Sequence, residues 1–303
     1  LKIGWKSVAW SAAALLLLLS IPTKLIVVTL FLLMVPLVVL YTLLKPIPFL
    51  VHAVCIGAAS FALLGSYSLI PLTFGFFFLI PSAIMGHMYK RRLSARTVVT
   101  VATIVLLAQF LVQLTIFSIQ YDIDLSAELS GMIEEALKQL QTSGTLLPAN
   151  WASDAAVSLG DAFVKMLPSL LLLSSFLLAV VTHALSRRAL GTMGIVVPAM
   201  PPMKNWMLPR SLVLYYLIAL ILSYAISPDN NGFWGTVAAN AVPILQFAFI
   251  VQAIAFFFYL ADMKKWPRAA PFLIAIVILL FHPFYLVGLI DTAFPLRRYF
   301  TKQ

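Results

Sequence analysis

The sequence predicts an all-α polytopic membrane protein, a bundle of about nine transmembrane helices. Three observations carry that expectation. The 303 residues are 62% hydrophobic and only 10% charged, with a mean hydropathy of +1.03, whereas a soluble domain carries about 25% charged residues. The apolar residues fall into long runs, and about 20 residues of helix cross some 30 Å of hydrocarbon. The cations gather in short groups at the ends of those runs, where anionic headgroups attract them.

In chain order the runs are Ser7–Ile21, Leu25–Leu44, Ile47–Leu64, Ser68–Met88, Thr97–Gln120, Ser158–Leu185, Ser211–Ser227, Gly235–Ala261 and Ala269–Phe294. The first run, behind Lys2 and Lys6, has the outline of a signal peptide. No small-x-small cleavage site follows it, so it reads as a retained span. Only Lys45-Pro46 separates the second run from the third, which forces an antiparallel hairpin. The stretch Ser186–Arg210 is the longest basic interruption. Pro198, Pro201, Pro202 and Pro209 forbid a continuous helix there, since each lacks a backbone donor. The expected organisation is a six-span core over 1–188, a proline-rich basic loop over 189–210 and a three-span extension over 211–303.

Charge sets the expected orientation. Lys2 and Lys6, Lys45, the group Lys90, Arg91, Arg92 and Arg96, the Ser186–Arg210 loop, and Lys264, Lys265 and Arg268 fall on one face if the N-terminus is cytoplasmic. The expected location is a bacterial cell membrane. Asp122, Asp124, Glu128, Glu134, Glu135, Asp154, Asp161 and Asp229 then lie outside. Arg297, Arg298 and Lys302 dissent, because nine full spans leave them outside too. Re-entry of the last run at His282-Pro283 is the other reading.

Between the fifth and sixth runs, Leu125, Leu129, Met132, Ile133, Ala136, Leu137 and Leu140 recur at three- and four-residue steps. This predicts an amphipathic outer helix over about 125–141, opened by Asp124 as a cap and closed near Gly144. It either lies against the bundle or outer leaflet, or forms a lid over a pocket.

Several chemistries are missing from the pattern. There is no G-x-x-x-x-G-K-[ST], H-E-x-x-H, C-x-x-C or G-x-S-x-G. His52, His87, His183 and His282 are scattered, and Cys55 is alone. No enzyme, metal or cofactor is expected. The net charge of +10 is dispersed at run ends rather than on one face, so nucleic acid is not an expected partner. Asp161, Lys165, Asp262 and Asp291 all lie toward run ends, which argues against a self-powered ion-coupled carrier.

Neutral polar residues inside the runs are the remaining candidates. Gln109 and Gln113 lie four apart on one face of the fifth run. Asn240, Gln246 and Gln252 mark the eighth. Such amides either join helices or face a pocket. In the pocket reading Gln109 and Gln113 bind a ligand from outside, with Tyr67 and Trp151 as aromatic walls. Ala9 and Ala13 on the first run, and Ala53 and Gly57 on the third, repeat a small-xxx-small spacing that permits close helix approach.

The loop VPAMPPMKNWMLPR (Val197–Arg210), directly before an apolar run, resembles the signature of the uncharacterised YybS-type multi-pass membrane proteins of bacteria. That resemblance extends over essentially the whole chain. The first six runs, Lys2–Arg188, also resemble the S components of energy-coupling-factor vitamin transporters. The similar features are Ala9-x-x-x-Ala13, the tightly linked second and third runs, and a fourth run with Phe74-Gly75-Phe76 and Gly86 that ends in Tyr89-Lys90-Arg91-Arg92. This second resemblance implies an S-component-like six-helix core plus a three-helix extension. It further implies capture of a small molecule, docking of Ala9 and Ala13 on a transmembrane coupling subunit, and energy from cytosolic ATPases. The alternative is a non-transporting scaffold whose basic loop, with Arg187 and Arg188, recruits a partner.

Overall fold

The computed structural model describes residues 4–121, 124–142, 150–227, 232–267, 269–294 and 296–297, with the backbone alone at 121 and 140–142. Lys2, Asp122, Gly144, Asp229, Arg268, Arg298 and Lys302, all used in the sequence reading, lie outside those residues. Every regular element among the described residues is helical: α1 (Trp5–Ser20), α2 (Ile26–Leu43), α3 (Pro46–Leu64), α4 (Leu69–Lys90), α5 (Ala95–Tyr121), α6 (Leu125–Thr142), α7 (Trp151–Thr192), α8 (Ser211–Ala225), α9 (Phe233–Met263), α10 (Ala270–Leu280) and α11 (Tyr285–Ala293). The chain divides into two compact units. The first comprises Leu1–Ile116 and Leu171–Met200, the second Phe117–Leu170 and Pro201–Gln303.

In the first unit, Lys45 has extended backbone and Pro46 opens α3, where a missing N–H costs nothing. Between α3 and α4 the chain reverses at Gly65, whose φ of 55° and ψ of −125° suit glycine alone. Ser11 Oγ meets His52 Nδ1 at 2.7 Å, joining α1 to α3. Ser20 Oγ and Thr29 Oγ1 share a 2.6 Å bond between α1 and α2. The core holds Met34, Val38, Leu40, Phe78, Met85 and Leu106, with Ala14, Ala102 and Ala179 fully buried between the larger side chains. In lipid, close packing of this kind stands in for the hydrophobic drive available in water.

In the second unit, α6 is helical where the periodicity predicts it, with Leu125, Leu129, Ile133 and Leu137 half-buried but Met132 and Ala136 exposed. The N–H groups of Ser126 and Ala127 donate to Asp124 Oδ1 at 2.9 and 3.2 Å, the expected cap. The helix packs on the start of α7, where Ser126 Oγ donates to Asp161 Oδ1 and a Cβ built at Gly160 would lie 2.1 Å from Ser130 Oγ. α8, α10 and α11 pack around α9.

Among the described residues, five helical stretches are long and apolar enough to cross a membrane: Ile26–Leu43, Pro46–Lys90, Ala95–Gln120, Trp151–Thr192 and Phe233–Met263. The bent pair α10–α11 would make a sixth, so nine is not reached on this measure. The reasons are physical. At 1.5 Å per residue, α1 and α8 rise only about 24 and 22 Å. Pro46–Lys90 is one helical stretch of 45 residues that doubles back at Gly65.

Candidate functional site

Prolines lie inside α2, α4, α7 and α9, and side-chain amides partner backbone groups beside two of them. Proline removes the N–H that would bond the carbonyl four residues earlier. Pro81 in α4 therefore releases the Phe77 carbonyl, which accepts a 3.1 Å bond from Gln109 Nε2 of α5. Beside Pro168 in α7, Asn240 of α9 accepts from the Ser169 N–H and donates to the Lys165 carbonyl, both at 2.7 Å. An unbroken helix would pair those two groups with each other.

The third amide, Gln252 of α9, belongs to a larger centre. The proline-rich segment before α8 is extended at Trp206 and Pro209 stops any helix there. Non-helical backbone at membrane depth must find partners in the protein or line a wet cavity. Gln252 Oε1 accepts from the Leu208 N–H at 3.0 Å, and Arg297 Nη1 donates to the Lys204 carbonyl at 2.7 Å. Gln252 Nε2 also donates to Asp291 Oδ2 at 2.6 Å.

Asp291 reaches this position because the last apolar run bends back on α9. α10 and α11 meet at 115° around His282-Pro283. α10 runs antiparallel to α9, with Phe272 on Phe258 and Ile278 beside Ile250 and Ile254. α11 returns parallel to α9. Gly288 abuts Phe249, Asp291 meets Gln252, and the Tyr259 hydroxyl donates to the Arg297 carbonyl at 3.2 Å. Lys204 Nζ contacts Asp262 Oδ2 at 2.8 Å, so Arg297 lies at the same end of the unit as Lys264 and Lys265. The last run thus doubles back along α9, the geometry of a broken span or a re-entrant loop. Its dissenting C-terminal arginine rejoins the other cations.

Asp291 lies toward the end of its run in sequence, yet the bend carries it into the interior of the unit. Asp291 is fully buried at the level of Gln252, about 16 Å of helical rise inside Met263. Three donors converge on one carboxylate oxygen. Gln252 Nε2 is joined at Asp291 Oδ2 by Arg297 Nη2 at 3.0 Å and Nε at 3.2 Å. A two-pronged arginine pair would engage both oxygens. Here Oδ1 is buried and has no partner among the described residues.

At the hairpin tip, His282 Nε2 lies 2.9 Å from Gln246 Oε1, and Gln246 Nε2 donates to the Tyr216 hydroxyl at 3.1 Å. The Tyr285 ring adjoins both His282 and Tyr216. His282 is exposed on the protein surface at a level near the middle of α9.

The residues singled out from sequence are dispersed. Tyr67, in the turn after α3, is 78% exposed, and Gln113 is exposed on α5. Gln109 is the helix joiner described above. No hydrogen bond or ring contact joins any two of Tyr67, Gln109 and Gln113 among the described residues. Trp151 opens α7 in the second unit. Ala9 is exposed on α1 and Ala13 half-buried. Arg187 Nε donates to the Val197 carbonyl at 3.3 Å, and Arg188 is exposed. The first unit holds a cleft of about 400 Å³ between α1, α2, α3 and α4, lined by Leu18, Leu37, Ala53, Gly57, Gly75 and Phe76 among other apolar groups. Among the described residues no group of three metal-binding side chains occurs. Sequence reasoning named Gln252 and tied re-entry to Arg297, but did not bring Gln252 together with Asp291 and Arg297.

Comparison with known proteins agrees with the membrane architecture. The chain is 22% identical over 231 residues to the uncharacterized protein YybS of Bacillus subtilis (strain 168), covering 70% of this chain and 71% of that one. No solved structure matches. The pattern of a family described as a predicted membrane protein, DUF2232, matches residues 11–292, and this chain belongs to that family.

Proposed function

We propose that this chain is a non-enzymatic membrane subunit that binds a small polar or cationic solute at the buried centre around Asp291. One observation carries the reading: a fully buried carboxylate keeps Oδ1 without a protein partner while three donors crowd Oδ2. Leaving a buried charged acceptor unmatched costs at least about 1–3 kcal/mol. Ionisable groups at membrane depth mark solute or ion paths by default. Broken helices and re-entrant backbone are how many carriers build a mid-depth site. The expectation of uptake driven by a coupling subunit and cytosolic ATPases is a finer form of the same proposal. Support for it is limited to the outward face of α1, where Val8, Ala9 and Leu16 are exposed.

The test uses purified chain in neutral-lipid nanodiscs, titrated with Na⁺, K⁺ and protons. Wild type should show a saturable rise in thermal midpoint with one of them, and Asp291→Asn should abolish it. No response to any of the three, or an equal response in the variant, would overturn the cationic reading. Co-purification of ATPases after mild solubilisation separately tests the energised form.

A second reading is favoured by the Gln109–Phe77 bond. It makes Gln109 a helix joiner rather than a ligand-binding group and the first unit a scaffold, with Arg187 and Arg188 available for a partner.

A further inference from the structure

The charge of this chain is divided unevenly between its units. All ten Asp and Glu lie in the second unit, beside ten Lys and Arg. The first unit has the other ten Lys and Arg and no acidic residue, so the net charge of +10 belongs entirely to it. The three salt bridges among the described residues all lie in the second unit. The cations of the first unit therefore have no carboxylate within it to pair with.

Four of them surround one loop. Gly194, Ile195 and Val196 form the shared wall of two concavities of about 300 and 330 Å³. Arg187 and Arg188 line one, Lys90 and Arg92 the other. Two of these cations are held in place by neutral partners. Arg187 Nε donates to the Val197 carbonyl, which occupies one of its five donors. Lys90 Nζ donates to the Leu44 carbonyl and sits 4.5 Å over the Tyr41 ring, again leaving donors available. Beneath them the Tyr89 hydroxyl is bonded to buried His183 Nδ1 at 2.9 Å, which braces α4 against α7. No carboxylate lines either concavity among the described residues.

We propose that the Gly194–Val197 loop and its four flanking cations form a binding site for a phosphate-bearing anion. Oriented guanidinium and ammonium groups match phosphate oxygens, the guanidinium in two-pronged fashion. Basic pockets at the end of a helical bundle suit lipid phosphates, and a soluble phosphate offers the same chemistry. The site is separate from the Asp291 centre, so Asp291→Asn should leave it unchanged.

The experiment places the purified chain in phosphatidylcholine nanodiscs. Phosphatidylglycerol is added to the lipid in one arm and inorganic pyrophosphate to the solution in the other. One arm should give saturable binding, read by the shift in thermal midpoint. Arg187→Gln with Arg188→Gln, and Lys90→Gln with Arg92→Gln, should each weaken it about tenfold, by analogy with about 1.4 kcal/mol per decade. Lys264→Gln with Lys265→Gln should leave it intact. A response to phosphatidylglycerol alone assigns a lipid headgroup, and one to pyrophosphate alone a soluble ligand. Failure of both probes, or equal loss with the Lys264 and Lys265 pair, overturns the proposal. Should a glutamine variant not fold, the salt dependence of the wild type decides. Binding unaffected between 50 and 500 mM NaCl, probe ranges set by screening length, also overturns it.

Discussion

Gln252 Nε2 donates to Asp291 Oδ2 at 2.6 Å, across 39 positions of sequence, while its own carbonyl oxygen holds the Leu208 N–H. One side chain therefore ties the extended segment before α8 to the returning limb of the hairpin. Arg297, with 14% of its side chain exposed, completes the cluster. Removing one member of a buried ion pair strands the other, at a cost of about 3–5 kcal/mol. Arg297→Met alone and Asp291→Leu alone should each lower stability by that order in denaturant titrations. The double variant should recover a large part of the loss. Additive losses would mean that the two charges are not energetically coupled.

Re-entry of α10–α11 makes a topological prediction. Lys265 and Phe294 bracket the last run, and Phe294 is 61% exposed. In a Cys55→Ser background, Lys265→Cys and Phe294→Cys should react with an impermeant thiol reagent from the same side of sealed vesicles. Labelling from opposite sides would restore a full crossing and move Asp291 toward an end of the span.

Which features could be read from sequence depends on how local their causes are. The α6 periodicity and its Asp124 cap were legible because spacing and cap lie within one segment. The helical membrane architecture followed from composition. Crossing and doubling back look alike in hydropathy, because both are apolar, so Ala269–Phe294 passed as a ninth span. Its two clues were His282-Pro283 and the misplaced Arg297. Gln109 and Asn240 were legible as amides needing partners. Their partners, a carbonyl freed by Pro81 and a gap beside Pro168, lie 32 and 71 residues away, beyond any local pattern. The burial of Asp291 beside Gln252 was not legible, because it depends on the turn preceding it.

Close approach of α11 to α9 depends on Gly288. A Cβ there would lie 1.8 Å from the Phe249 carbonyl oxygen, far inside van der Waals contact. Gly288→Ala must push the backbones apart, and overpacking of this kind costs about 1–3 kcal/mol. Gly131, inside exposed α6, would meet nothing within 4 Å. Gly131→Ala should be neutral or stabilise by up to about 1 kcal/mol through helix propensity. Thermal midpoints of the two variants check the contrast, and equal effects would place α11 off α9.

Gln109 offers the sharpest separation of scaffold from pocket. If its task is to satisfy the Phe77 carbonyl released by Pro81, then Gln109→Leu should cost about 0.6–2 kcal/mol, the range for interhelical bonds in membranes. Pro81→Ala restores an N–H four residues after Phe77 and makes the amide dispensable. In that background Gln109→Leu should cost clearly less, whereas Gln113→Leu, on the exposed face of α5, should be nearly silent in both. A double-mutant cycle on detergent-solubilised protein measures the difference directly. Should the cost of Gln109→Leu be the same with and without Pro81, the bond to Phe77 is not what holds the amide in place. The pocket reading of the fifth helix would then regain its force.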